Sequence, residues 1–208
     1  ELKAILSLDD IDKTIDKNAF EMFMKFEHFI GGTTWFENIK SVNPAMLMEF
    51  DIESRTLNQE HYWTFAQIEK SDLTFNQAVD KAYELFNKAM KKQYNTKLQP
   101  SVPLSGGFDS RLVLASLLKL YPDLKPYVYT FGFENCQDYI TAEKVCKIAK
   151  LEHHKYDLDK VDWLSFRKKL IYDNDCMVSL KHFHGLEFAE LLPEEYNLSL
   201  SGFSGDSI

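Results

Sequence analysis

No apolar run in the 208-residue chain approaches the ~20 residues needed to cross a bilayer. Glu1 opens without a basic region followed by an apolar one, so neither a membrane segment nor a signal peptide is expected. Cysteine is scarce: Cys136, Cys146 and Cys176 make neither a CxxC pair nor an even disulfide framework. Reduced thiols in a cytoplasmic protein follow from that. Positive charge is in deficit, 24 Lys and Arg against 32 acidic residues for a formal net charge of −8, and no basic stripe gathers the remainder. Nucleic acid is therefore not expected as a partner. The chain also has no internal repeat, no GxxxxGK[ST], no GxGxxG after a strand and no GxSxG, which removes the common phosphate loops and the hydrolase elbow. His153 and His154 fall on opposite faces of a strand, and His182 and His184 do not face one another on a helix, so neither pair suggests a metal. The chain begins without an initiator methionine and reads as a fragment or a processed form.

What is present is 45% apolar and 14% aromatic content, enough for one substantial core and part of another. The hydrophobic period divides the chain into residues 1–66 and 67–208. In the first region a short apolar run over 4–8 precedes a helical pattern over 19–30 that stops at Gly31 and Gly32. Extended runs over 46–52 and 57–65 flank Glu53, Ser54 and Arg55, which predicts a hairpin. In the second region Thr74 and Gln77 have capping-box spacing, and Phe75, Val79, Ala82, Phe86 and Ala89 mark the face of a helix of about five turns. Pro100 and Pro103 punctuate a short strand ending at Leu104. Helix and strand patterns then alternate: a buried helix over 112–120, a strand over 127–133, a helix over 141–149 and a strand over 154–158. Helices over 161–172 and 179–192 and a strand over 196–200 complete the series. The fold class predicted is α/β, a mostly parallel sheet with helices on both faces, preceded by a small α+β unit.

Ligands of such sheets bind beyond the carboxyl ends of the strands, which is where SGGFDS, residues 105–110, falls. Gly106 and Gly107 permit positive backbone dihedrals and close approach by an anion, and Ser105 and Ser110 add hydroxyl donors. The following helix points its partly positive end at the loop. Arg111 opposes that dipole, a small penalty a bound polyphosphate would reverse; the plainer reading is that it faces water. Asp109 would repel phosphate unless a cation intervened. Mg²⁺ commonly uses one or two carboxylates plus substrate phosphates, and Asp206, in the second Ser-Gly loop SGFSGDSI, supplies another at a strand end. A helix cap for Asp109 and a polar loop residue for Asp206 are the alternatives. Lys144, Lys147 and Lys150 describe a solvated helix face.

LSGGFDS resembles the pyrophosphate-binding loop of the ATP pyrophosphatase group, and its surroundings resemble the asparagine synthetase family. TFGFENCQDYITAEKVCKIAKLEHHKYDLD is similar to the family's segment after the second strand, and LSLSGFSGDSI to its second Ser-Gly loop. FIGGTTWFENIKSVNPAMLMEFDIESRTLNQEHYW and ELKAIL resemble the end of its glutaminase domain. The resemblance implies a PP-loop ATP pyrophosphatase fold. Residues 1–66 would be the remnant of a glutaminase-like amidotransferase domain, and 67–208 an ATP-binding domain truncated at its carboxyl end. It implies MgATP, adenylation of a small-molecule carboxylate with release of pyrophosphate, and attack by ammonia or a glutamine-derived nitrogen to form an amide. A homodimer is an allowed assembly. By the same resemblance Ser105, Gly106, Gly107 and Ser110 hold the pyrophosphate and Asp109 and Asp206 hold Mg²⁺, while Leu104, Phe131, Ser201 and Gly202 line the adenosine. The second loop of the family runs nearer SGEGADE, whereas here Phe203, Ser204 and Ser207 replace its acid, glycine and last acid. The family's glutaminase uses an amino-terminal cysteine, which Glu1 does not supply. The alternatives are a nucleotide-binding or scaffold module without turnover and a relative that closes β-lactams or cyclises peptides. An RNA-modifying relative disagrees with the acidic charge.

Overall fold

The structure, a computed structural model, describes residues 1–183, Gly185, Phe188 and residues 191–203, with 163–166 and 182 described by backbone alone. It divides into two compact units, Glu1–Asp72 with Leu164–His184, and Leu73–Trp163 with Gly185–Ile208. No described helix is long and apolar enough to cross a membrane.

The first unit opens with the short helix α1, Leu2–Leu6. Its Leu2 N–H donates to Asp175 Oδ2 at 2.7 Å, and Lys3 pairs with the same carboxylate at 3.1 Å. Helix α2, Lys17–Phe26, starts where Asp16 accepts the Ala19 N–H at 2.9 Å. It ends earlier than the expected glycine stop, because Glu27 itself takes the left-handed conformation at φ 63° and its N–H returns to Phe23 O. Gly31 and Gly32, at φ 67° and 75°, shape the turn that follows instead. Strands β1, Met46–Asp51, and β2, Thr56–His61, form the expected antiparallel hairpin, with Asp51 paired to Thr56 next to the turn.

The second unit opens with α3, Phe75–Gln93, and both hydrogen bonds of the Thr74–Gln77 capping box are made. Phe75 is 82% exposed, and Val79, Ala82 and Ala89 also face water, so of the predicted face only Phe86 packs on the core, beside Met90, which was not in it. The series continues with β3, Pro100–Pro103; α4, Phe108–Leu120; β4, Tyr127–Gly132; and α5, Gln137–Ala149. It then runs through β5, His153–Asp157; α6, Trp163–Asp173, which crosses into the first unit; and β6, Leu198–Ser199. The helix expected over 179–192 is a 3₁₀ turn at Leu180–Phe183, and part of that range lies outside the described residues.

The four strands of this unit form an all-parallel sheet in the order β5-β4-β3-β6. The fold is α/β, as predicted. Proline inside a sheet usually marks an edge, yet β3 is central. The resolution lies in the ladder. Leu104 N–H donates to Tyr129 O of β4, so Pro103, one residue back, turns its nitrogen toward β6, whose paired residues reach only to Ser101. Its missing donor therefore costs no ladder bond. Val102 and Val128 are fully buried at the centre, where α4 adds Val113, Leu114 and Leu117. The opposite side of α4 exposes Leu112, so this helix is buried on one face rather than nearly all round.

Candidate functional site

The strand order places the switch point at β3: the chain proceeds from β3 to β4 to β5 in one direction and returns to set β6 on the other side. In open α/β sheets that reversal opens a crevice at the carboxyl edge. Two loops meet there, residues 104–107 after β3 and 200–203 after β6. Leu200 N–H donates to Ser101 O at 2.9 Å, which extends the β6 contact toward the edge.

The first loop is closed by its own side chains. Ser110, nearly buried in the first turn of α4, places Oγ 3.1 Å from the Ser105 N–H, which it accepts, and 3.0 Å from Ser105 Oγ. Ser105 Oγ in turn accepts the Gly107 N–H at 3.1 Å. The Gly106 N–H donates outside the loop, to Asp138 Oδ1 in the first turn of α5 at 2.6 Å. Gly107 is the N-cap of α4 at φ −71°, and neither glycine takes a positive φ. The expected reason for the glycine pair is thus corrected: neither position uses a positive dihedral, and what sets Gly106 apart is the close approach of Asp138, whose Oδ1 would lie 2.9 Å from a Cβ there and would have to shift to admit one.

Arg111 is partly exposed and folds back over its own turn. Its Nε donates to Gly107 O at 2.9 Å and its guanidinium lies 4.4 Å from the centroid of the exposed Phe108 ring. The Asp109 carboxylate, half-buried in the same turn, makes no hydrogen bond or ion pair among the described residues. No side chain caps α4, so its first-turn N–H groups, unpaired within any helix, are left at the crevice. From the other side Gly202 presses on this turn: a Cβ on it would lie 2.6 Å from Ser110 N and 2.7 Å from the Asp109 carbonyl carbon.

Behind the loop the Leu104 carbonyl accepts the Thr130 hydroxyl at 2.6 Å, and Thr130 Oγ1 lies 2.8 Å from His153 Nε2. With the hydroxyl hydrogen committed to Leu104, His153 must be the donor, which assigns its proton to Nε2 and leaves the buried Nδ1 without a partner among the described residues. Burial, with Lys155 and His154 nearby, holds the imidazole below its usual pKa despite the opposing Glu143. His154 lies on the other face, stacked 3.9 Å from Tyr127, as the alternation of a strand requires. Phe131 stacks on Phe188 with centroids 5.6 Å apart. Ser201 Oγ accepts the Phe203 N–H at 3.1 Å. Asp206, with 204, 205, 207 and 208, lies outside the described residues, as does His184. Among the described residues no group of three or more His, Cys, Asp or Glu side chains could hold a metal.

The structure thus brings Leu104, Ser105, Gly106, Gly107, Asp109, Ser110 and Gly202 together, and sets Ser201 beside them in the chain. Asp138 and the Thr130–His153 pair were not among the expected site residues. Asp138 lies ahead of the helix predicted over 141–149; the observed α5 begins at Gln137 and so takes Asp138 into its first turn, and its partner on the neighbouring loop was not legible in the sequence. A neighbouring cavity of about 310 Å³, lined in part by Glu134, Glu143, Lys155, Asp157 and Lys160, has both of its lysines paired with carboxylates of its own wall. Lys155 meets Glu143 at 2.7 Å and Lys160 meets Asp157 at 3.3 Å, and the Lys155 contact lowers the Glu143 pKa.

A parallel α/β sheet with a Ser-Gly loop leading from an inner strand into a helix buried on one face is consistent with a PP-loop synthetase domain. Residues 81–208 match the family model for asparagine synthase, and the chain belongs to that family. It is similar over its whole length, at 26% identity, to asparagine synthetase [glutamine-hydrolyzing] 3 of Bacillus subtilis (strain 168), of which it spans 36%. It is 27% identical over 74% of its length to the asparagine synthetase [glutamine-hydrolyzing] of Mus musculus, covering 27% of that protein. A segment of 75 residues is 41% identical to the enzyme of Rattus norvegicus, 34% of this chain and 13% of the relative. The chain therefore spans about a third or less of these relatives.

Proposed function

We propose that this chain holds the nucleotide end of an ATP-dependent amide-forming ligase of the asparagine synthetase type. One observation carries the reading: the amino end of α4, free of side-chain caps, sits at the switch point with the first loop beside it and Gly202 packed on its first turn. The exposed N–H groups and the positive end of the helix suit the phosphates of ATP. The Asp109 carboxylate suits a hard cation that takes one or two carboxylates and completes its shell with phosphate oxygens. When bound, Mg²⁺ would neutralise charge on the polyphosphate. Leu104, Phe131, Ser201 and Gly202 would line the adenosine, and Asp206 would be the second carboxylate.

In this reading an oxygen of the substrate carboxylate attacks the α-phosphorus and the bond to pyrophosphate breaks. An amine nitrogen then attacks the acyl carbon, AMP leaves and the nitrogen gives up its proton. The chain's part is to orient the nucleotide and to hold the departing pyrophosphate at the helix end, which requires positioning and charge stabilisation and no nucleophilic side chain. The acceptor would be a small carboxylate, the nitrogen would come from ammonia or glutamine, and residues 1–66 would be the end of a glutaminase-like domain.

Carboxylate-dependent exchange between ATP and pyrophosphate, run on the full-length protein with aspartate and related acids, tests the reading. Exchange with one of the acids, abolished by Asp109→Ala with folding intact, is the expected result; silence across the whole panel would overturn it. A second reading, nucleotide binding without turnover, draws on Phe203, an exposed aromatic where the family carries an acid. Magnesium-dependent ATP binding in calorimetry with no exchange would be its signature.

A further inference from the structure

We propose that Asp138 is the positioning residue of the nucleotide loop: its carboxylate holds the Gly106 N–H and fixes residues 105–107 in the shape that presents the start of α4. The inference rests on the nucleotide-binding reading for its purpose, and on geometry for its substance. Of the three loop N–H groups, those of Ser105 and Gly107 are satisfied by serines of the same hexapeptide. Gly106 alone reaches a different element, 32 residues away in sequence, through a bond of 2.6 Å to a carboxylate. Bonds of that kind are shorter and stronger than neutral ones. The Gly106 N–H is also already taken: the Asp138 carboxylate sits on it at 2.6 Å, so an anion would have to displace that carboxylate to reach this amide. The Gly106 N–H is accordingly a structural donor, and the phosphate donors are those at the start of α4. The carboxylate sits well where it is: it lies in the first turn of α5, which no side chain caps, and is favoured by the positive end of that helix.

The test pairs hydrogen exchange at the Gly106 amide in the nucleotide-free chain with MgATP titration calorimetry, for Asp138→Ala and Asp138→Asn. Asp138→Ala should speed Gly106 exchange about tenfold or more and weaken MgATP binding about tenfold, as loss of a charge-assisted bond implies. Asp138→Asn keeps an acceptor oxygen and should recover most of both. Should Asp138→Ala fail to fold, Asp138→Ser withdraws the carboxylate from the same amide and should show the same two losses. Unchanged exchange at Gly106 overturns the proposal. So does tighter MgATP binding by Asp138→Ala, which would mean that the carboxylate occupies the place of a phosphate. If the unaltered full-length protein binds no MgATP, the nucleotide reading fails while the exchange measurement still decides the tether.

Discussion

The parallel sheet and the hairpin β1–β2 are both built from strands, and they solve opposite problems. Val102 and Val128 of the sheet are fully buried, and Leu117 of α4 is packed with them. In the hairpin every residue of β2 is exposed. Pairs Met46–His61, Met48–Gln59 and Phe50–Leu57 share one face, and Leu47–Glu60, Glu49–Asn58 and Asp51–Thr56 the other, so all the apolar side chains but Leu47 gather on one side without a cover within the hairpin. Parallel strands must be joined by crossovers, which cover them and leave all their carboxyl ends on one edge. A hairpin needs only a turn and creates no such edge. Candidate chemistry therefore belongs to the sheet, where burial immobilises the strands and the loops inherit their positions.

The largest expected effect is on the buried side of that contrast. Leu117→Ala should cost roughly 2–5 kcal/mol of sheet-unit stability, read from exchange at the Val102 and Val128 amides. Next comes the seam between the two loops. Gly202→Ala forces a methyl against the backbone of Asp109 and Ser110, and should cost about 1–3 kcal/mol with a fall in MgATP affinity. A native denaturation midpoint and a calorimetric titration would measure both; an unaltered titration would show that the seam does not shape the site. A weaker effect comes from His153, whose pKa in the folded chain lies below its usual value of 6.5 because of burial. The unfolded chain then takes up the proton first, so this contribution is fully present above pH 6.5 and is lost as pH falls from there toward the folded value. Urea midpoints between pH 7 and 5.5 should decline for the unaltered chain and flatten for His153→Gln. The smallest change belongs to the hairpin: Phe50→Ala should cost roughly 0.2–1 kcal/mol, the worth of one cross-strand pair, and leave Val102 exchange untouched. A larger loss would place hidden cover over that face.

Local signals were legible and contacts across the sheet were not. Thr74 and Gln77 announce their capping box because both partners lie within one turn. The end of α2 misleads because a glutamate takes the left-handed turn four residues ahead of the first glycine. The alternation from Pro100 onward reveals a parallel sheet, and with it the place of SGGFDS, yet strand order is what turns two separate Ser-Gly loops into neighbours. Gly106 shows the limit most clearly. A glycine in a loop suggests an unusual dihedral, whereas what distinguishes this one is the carboxylate of a residue on another helix, which holds its N–H. Phe75 and Val79 fit a helical face by period, but period says nothing of whether a partner stands opposite them.

The place of β6 has a kinetic meaning as well. Thr130 reaches His153 across 23 residues and Leu104 across 26, so three strands can find one another by closing short loops. The contacts that dock β6 on β3, Gln99 with Asn197 and Ser101 with Leu198, close loops of 98 and 97 residues. Loop closure grows costlier with length and long-range parallel pairing is slow. The Gly202 side of the crevice is thus expected to close after β3, β4 and β5 have paired, and until it does, the start of α4 has only the first loop beside it.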